Sequence, residues 1–287
     1  MILVTGATGK LGHWVVQGLL QKGVGAGDLA VLARDPDKAS DLAARGISVR
    51  PGDYSDPASL EAAFAGVKQL MFVSSNELGA RAPKHKKVIA AAKKSGVKHV
   101  VYTSILNADT SPMELASDHK ETEAALRQSG LSFTLLRNGW YFENYTENMS
   151  SALEYGALLG AAKDGRYAFA TRQDYAEAAV AVLTSSKDES GKVYELGGKP
   201  SATLSELAAE ISRQAEKTPV AYVDLEPTEF EERLKSFGLP PFLAHLLADA
   251  DAAAQKGFLD TSSGDLERLL GRPATTLSKA VEAGLGL

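Results

Sequence analysis

Three glycines in the spacing G-x-x-G-x-x-G stand between an apolar run, 2–5, and an amphipathic stretch, 10–21, in Thr5-Gly6-Ala7-Thr8-Gly9-Lys10-Leu11-Gly12. A strand that turns this abruptly into a helix leaves few folds open. Gly6 allows the tight turn, Gly9 lets backbone approach a diphosphate, and Gly12 lets the helix lie close on its sheet. The N–H groups and positive dipole end of that helix then face an anion.

The same rhythm continues. Apolar runs at 29–33, 47–50, 69–74, 99–103 and 132–137 are short and rich in Val, Ile, Leu and Phe, as strands covered on both faces must be. Helical patterns fall between them at 37–44, 58–65, 83–95 and 116–128, and Gly23, Gly46, Gly66, Gly96 and Gly130 stand where the helices should end. Alternating strands and helices imply right-handed βαβ units on a parallel sheet. The predicted class is α/β: a Rossmann-type doubly wound parallel sheet over residues 1–137, with a smaller α/β C-terminal lobe over 138–287. In the lobe the pattern predicts helices at 173–185, 203–216, 263–270 and 276–283 and strands at 192–196 and 220–225, with one late strand a candidate to return to the sheet. Residues 138–172, rich in glycine and tyrosine, read as irregular.

Composition narrows the class of partner. With 31 basic against 36 acidic residues the net charge is −5, which argues against a nucleic-acid binder working through bulk positive charge. The cluster Lys84-His85-Lys86-Lys87 reads as the solvated face of a helix. No apolar run approaches the ~20 residues of a membrane helix, and no basic stretch precedes the first strand, so a cytoplasmic protein is expected. The absence of cysteine excludes disulfides, thiolate metal sites and a cysteine nucleophile.

Candidate site residues follow from the fold. A basic residue about 20 residues beyond the glycine turn, at the end of the second strand, suits the 2′-phosphate of NADP. Arg34 is there, with Lys38 one turn on and Asp35 either opposing a phosphate or capping the next helix. Asp53, after the third strand, can accept from an adenine amino group or serve a turn, and Ser74, Ser75 and Asn76 end the fourth strand on the ligand-binding edge. The tyrosine–lysine pair Y-x-x-x-K of short-chain dehydrogenases is missing: Leu106 stands four residues after Tyr102, Ala58 after Tyr54 and Tyr145 after Tyr141. His119 and Glu123 share a helix face at i, i+4, so His119 is a candidate proton donor, against the plainer reading of a charged surface helix. A single pair is too few ligands for a metal. The aromatic-rich segment Asn138-Gly139-Trp140-Tyr141-Phe142-Glu143 can stack on a flat ring or act as a hinge.

The opening residues through His13, Tyr102-Thr103-Ser104, His119-Lys120-Glu121-Thr122-Glu123 and Leu135-Leu136-Arg137-Asn138-Gly139-Trp140-Tyr141 resemble the NmrA-like branch of atypical short-chain dehydrogenases. Ser74-Ser75-Asn76-Glu77, Arg81-Ala82-Pro83, Ala108-Asp109-Thr110-Ser111-Pro112, Lys192-Val193-Tyr194-Glu195-Leu196 and Leu270-Gly271-Arg272-Pro273 make the chain similar to the bacterial type 2 NAD(P)H:quinone oxidoreductases within it, with the triphenylmethane dye reductases as siblings. The resemblance implies two-electron reduction of a quinone or another small aromatic acceptor by NADPH, with NADH a possible substitute and with neither flavin nor metal. It places the dinucleotide contacts on Gly6, Ala7, Thr8, Gly9, Lys10, Leu11 and Gly12, on Arg34, on Ser74 to Asn76 and on Asn138 to Glu143. Tyr141 and Phe142 would face the acceptor. Many NmrA-like reductases carry lysine where this chain has His119, which weakens a lysine-based proton relay here. Two alternatives accompany this reading: an NmrA-type dinucleotide sensor without turnover, and a reductase of dyes or nitro compounds.

Overall fold

Gly23 and Gly46 adopt φ of 86° and 83°, the left-handed conformation that ends a helix and that side chains with a Cβ resist. Such stops set the length of each helix and hand the chain to the next strand. The computed structural model describes residues 1–77, 81–147, 149–215 and 219–287. Strand β1 (Ile2–Val4) leads into α1 (Lys10–Gln21), and β2 (Leu29–Ala33) into a 3₁₀ turn and α2 (Ser40–Ala44). Then come β3 (Ser48–Pro51), α3 (Pro57–Ala63), β4 (Gln69–Phe72), α4 (Arg81–Lys94), β5 (His99–Ile105), α5 (Glu114–Ser129) and β6 (Ser132–Asn138). After these come β7 (Ala157–Gly160), the helix Arg172–Leu183, β8 (Val193–Leu196), the helix Leu204–Ala215 and β9 (Ala221–Asp224). The last residue of the helix expected at 203–216 lies outside the described residues.

Seven strands form one sheet in the order β3-β2-β1-β4-β5-β6-β8. β1 pairs in parallel with β2 and with β4, so Val4 faces Val31 on one side and Met71 on the other. The strand order reverses between β1 and β4, and at that switch point a crevice opens at the carboxyl ends of the strands. Leu3, Ala30, Leu70, Phe72, Val100 and Leu135 come off the strands fully buried and pack against Leu60, Phe64, Val88 and Ile89 of the helices. Asp35 caps the 3₁₀ turn by accepting from Asp37 N–H at 3.2 Å, the capping role expected for it.

The chain divides into two compact units. One comprises Met1–Ile105, Asp118–Arg137 and Arg172–Tyr194; the other comprises Leu106–Ser117, Asn138–Thr171 and Glu195–Leu287. In the first, the helix Arg172–Leu183 packs on α1 so closely that a Cβ on Gly18 would come within 2.9 Å of Val180 Cγ2. In the second, β7 and β9 pair in parallel, correcting the irregular reading of 138–172. A column of rings builds its interior: Phe142 stacks on Phe169 at 4.9 Å and Phe169 on Tyr167 at 4.9 Å. Among the described residues, no helix is long and apolar enough to cross a membrane and no group of three or more His, Cys, Asp or Glu could hold a metal.

Candidate dinucleotide site

A cavity of about 370 Å³ lies at the switch point, within the range of small-molecule sites. Gly6, Thr8, Gly9, Lys10, Leu11 and Gly12 form one wall, while Ala7 is fully buried behind it and off the lining. Gly6 has φ of 62°, and a Cβ on Gly12 would sit 2.3 Å from Gly6 O, so side chains are excluded where the turn crosses the helix. Gly9 stands at the N-cap of α1 with no side-chain cap, which leaves the helix end to bind an anion.

The opposite wall is the loop after β4, which starts sooner than the strand expected at 69–74. Four side chains fix its backbone. Val73 N–H donates to Thr5 Oγ1 at 3.0 Å, and the Tyr54 hydroxyl lies 2.6 Å from Thr5 Oγ1 and 2.9 Å from Val73 O. Ser74 N–H donates to Thr103 Oγ1 at 2.8 Å, and Ser75 N–H donates to His85 Nε2 at 3.1 Å. Ser74, Ser75 and Asn76 all line the cavity. The Ser75 hydroxyl is buried with no hydrogen-bond partner among the described residues. An uncapped glycine cradle facing this unpartnered hydroxyl fits the diphosphate and sugar of a dinucleotide.

At the far end Arg34 lines the cavity, as expected, together with Lys84. Lys38 does not line it; Lys84 is the cation beside Arg34, with Lys10 on the glycine wall. The two converge on one carboxylate: Arg34 Nη1 lies 3.1 Å from Glu77 Oε1, and Lys84 Nζ contacts Glu77 Oε2. Asp53 also lines the cavity but is turned on its own loop, where Ser55 N–H donates to it at 2.6 Å. Hydrogen bonds from Ser55, aided by Arg34 and Lys84, hold its carboxyl below the usual range.

Behind the β4 loop lies a buried polar chain. His85 Nε2 accepts from Ser75, so its proton sits on Nδ1, which donates to Thr122 Oγ1 at 2.9 Å; Thr122 donates in turn to Asp118 O at 2.8 Å. Arg81 Nη1 lies 3.0 Å from His119 Nε2. A guanidinium can only donate, so His119 carries its proton on Nδ1, 2.8 Å from the Tyr102 hydroxyl. Burial pushes the His85 pKa down to about 3, and burial with Arg81 alongside holds His119 well below the usual imidazole value. Burial also raises the Tyr102 phenol.

Three expectations change here. His119 is interior and neutral, so it is neither part of a charged surface helix nor an imidazolium donor at neutral pH. Glu123 is equally buried and taken up by Arg137, with Nε at 2.9 Å and Nη2 at 2.7 Å, while Ser104 Oγ donates at 2.6 Å. The cluster 84–87 is not one solvated face either, because His85 is fully buried and Lys84 lines the cavity. Both histidines fall on the apolar stripes of their helices, with Ala82, Val88 and Ile89 on α4 and with Ala116 and Leu126 on α5. That spacing was the signal for their burial.

Asn138, Gly139, Trp140, Tyr141, Phe142 and Glu143 follow β6 and, Asn138 onward, belong to the second unit; none lines this cavity. Gly139 N–H donates to Leu196 O at 2.7 Å, and Trp140 is buried. The Phe142 ring is buried and stacks on Phe169. Tyr141 is half-buried, its hydroxyl 3.4 Å from Asn138 Nδ2.

Residues 6–186 match the model of a family described as NAD(P)H-binding. The chain is 51% identical to quinone oxidoreductase 2 of Escherichia coli K12 over 281 residues, 98% of this chain and 97% of that one. Its fold matches the crystal structure of the E. coli NADPH-dependent quinone oxidoreductase complexed with NADPH at a TM-score of 0.96, with 50% identity and 99% of each chain covered. The Citrobacter triphenylmethane reductase complexed with NADP(H) matches at 0.94 with 36% identity, covering 99% of this chain and all (100%) of that one.

Proposed function

The chain belongs to the NAD(P)H-binding family, and on that premise we propose that it reduces quinones by two electrons in the cytoplasm, using NADPH in preference to NADH, with neither flavin nor metal. The full-length identity to a quinone oxidoreductase carries this reading. The bound dinucleotide supplies the hydride.

The chain's residues do the rest. Gly6 to Gly12 receive the diphosphate on backbone N–H groups and the end of α1. Arg34 and Lys84 hold the 2′-phosphate, one as a planar fork and the other as a point charge. Ser74, Ser75 and Asn76 orient the reactive end of the dinucleotide from a backbone that Thr5, Tyr54, Thr103 and His85 hold still. Asn138 to Glu143 are retained as cofactor contacts; Asn138 Oδ1 is buried without a partner among the described residues, which supports a ligand there. Tyr141 is the proposed quinone contact. His119 belongs to the buried polar chain behind this loop, its Nδ1 2.8 Å from the Tyr102 hydroxyl, and serves as structural support and not as the proton donor. A hydroquinone oxyanion is a weaker base than an alkoxide, so water suffices as proton source and positioning supplies much of the rate.

The missing Y-x-x-x-K pair also suits a sensor that binds the dinucleotide without turnover. The test is oxidation of NADPH, with NADH in parallel, against benzoquinone, menadione and a triphenylmethane dye. Quinone-dependent oxidation faster with NADPH supports the reading. Binding without turnover on every acceptor favours the sensor, and turnover on the dye alone favours a dye reductase.

A further inference from the structure

Arg34 and Lys84 lie far apart in sequence, yet both end on Glu77, one on each carboxylate oxygen. All three line the same cavity. A carboxylate bridging a guanidinium and an ammonium occupies the place where a small dianion would be received, and it presents the same chemistry: oxygens accepting from both cations. The Arg34 side chain is 66% exposed and that of Glu77 36%, so solvent can reach the arrangement and Glu77 can turn aside without unpacking the core.

We infer that Glu77 is a resident stand-in for the 2′-phosphate and sets the ratio of NADPH to NADH affinity. The inference rests on the dinucleotide reading above. A cofactor with a 2′-phosphate must displace the carboxylate from both cations and then sit near a displaced negative charge. A cofactor with only a 2′-hydroxyl leaves Glu77 in place, with both cations neutralised. The cost therefore falls on NADPH alone, and discrimination between the two cofactors is smaller than Arg34 and Lys84 would give by themselves. In the free protein the same carboxylate keeps the basic pair from capturing other phosphates.

The experiment is equilibrium titration of wild type, Glu77→Gln and Glu77→Ala with NADPH and with NADH, read by nicotinamide fluorescence, with a melting curve for each variant. Both variants should bind NADPH about fivefold more tightly or better, with NADH affinity changed by less than about twofold. Unchanged or weaker NADPH binding in both folded variants, with wild type still binding NADPH, overturns the role of Glu77 and leaves the dinucleotide reading standing. Equal tightening for both cofactors also overturns it, since the effect would then not concern the 2′-phosphate. Failure of wild type to bind either cofactor overturns the dinucleotide reading and the inference with it.

Discussion

A Cβ at Gly12 would meet backbone atoms on two residues, Gly6 O at 2.3 Å and Ala7 Cα at 2.9 Å, and neither can rotate away. Gly12→Ala should therefore cost about 1–3 kcal/mol of stability and weaken NADPH binding by about tenfold or more, measured by chemical denaturation and titration. At His119 the opposite balance is expected. His119→Asn removes the acceptor facing Arg81 and should cost about 1–3 kcal/mol. Because the ring is already neutral, the pH profile of quinone reduction between about pH 6 and 8 should keep its shape and the rate should fall less than about tenfold. Loss of a profile limb in the variant would restore His119 as a proton donor. The glycine turn and Arg34 were legible as cavity lining because each directly follows its own strand. Lys84, Glu77 and Tyr54 were not, because each reaches the cavity from an element whose place beside Arg34 or Thr5 is decided only when the sheet forms.

At the scale of elements, the loop after β4 is held by contacts that cross from Thr5 just after β1, from β5, from α4 and from the turn before α3. His85→Phe keeps the ring's edge contacts with Phe72 and Tyr102 but removes the acceptor for Ser75 N–H. It should raise the NADPH dissociation constant by about tenfold with a smaller change in kcat. Tyr102→Phe, which leaves the Ser75 contact intact, should shift that constant by less than about twofold. Equal effects from both variants would mean that the buried chain supports the core and not the loop. The alternating strands and helices of residues 1–137 were readable because each buries a continuous apolar run or stripe. β7 escaped because Ala157–Gly160 is short, its first three residues are only half-buried, and its partner Ala221–Asp224 is distant in sequence.

Over the whole molecule, buried titrating groups oppose one another. His85, pushed down to about 3, stays neutral in the folded chain while the unfolded chain takes up a proton below about pH 6.5. The unfolded state thus binds more protons from about pH 6.5 to about pH 3, and stability falls as pH is lowered through that window. The slope is up to ~1.4 kcal/mol per pH unit for each such imidazole. Asp251 runs the other way. It accepts from Tyr167 Oη at 2.6 Å and Ala161 N at 2.7 Å, and burial pushes its carboxyl up to about 6 from 3.8. Its proton stabilises the folded state below its unfolded pKa, and that contribution is lost as pH rises through about 6. Asp251→Asn should therefore make stability rise more steeply with pH between about pH 4 and 6, read from denaturation midpoints; a flatter dependence would reverse the assigned sign. The division of labour at this scale was only partly open to sequence reading. Val193–Leu196 was visible as a late strand, but nothing local marks 106–117 as part of the second unit or 172–194 as part of the first. The measurement that bears most directly on the account is a single-turnover reaction of purified, flavin-free protein loaded with one equivalent of NADPH and mixed with menadione. Loss of the bound nicotinamide absorbance with one hydroquinone formed per NADPH is expected, while persistence of bound NADPH beside unreacted quinone would rule out direct hydride transfer to the quinone.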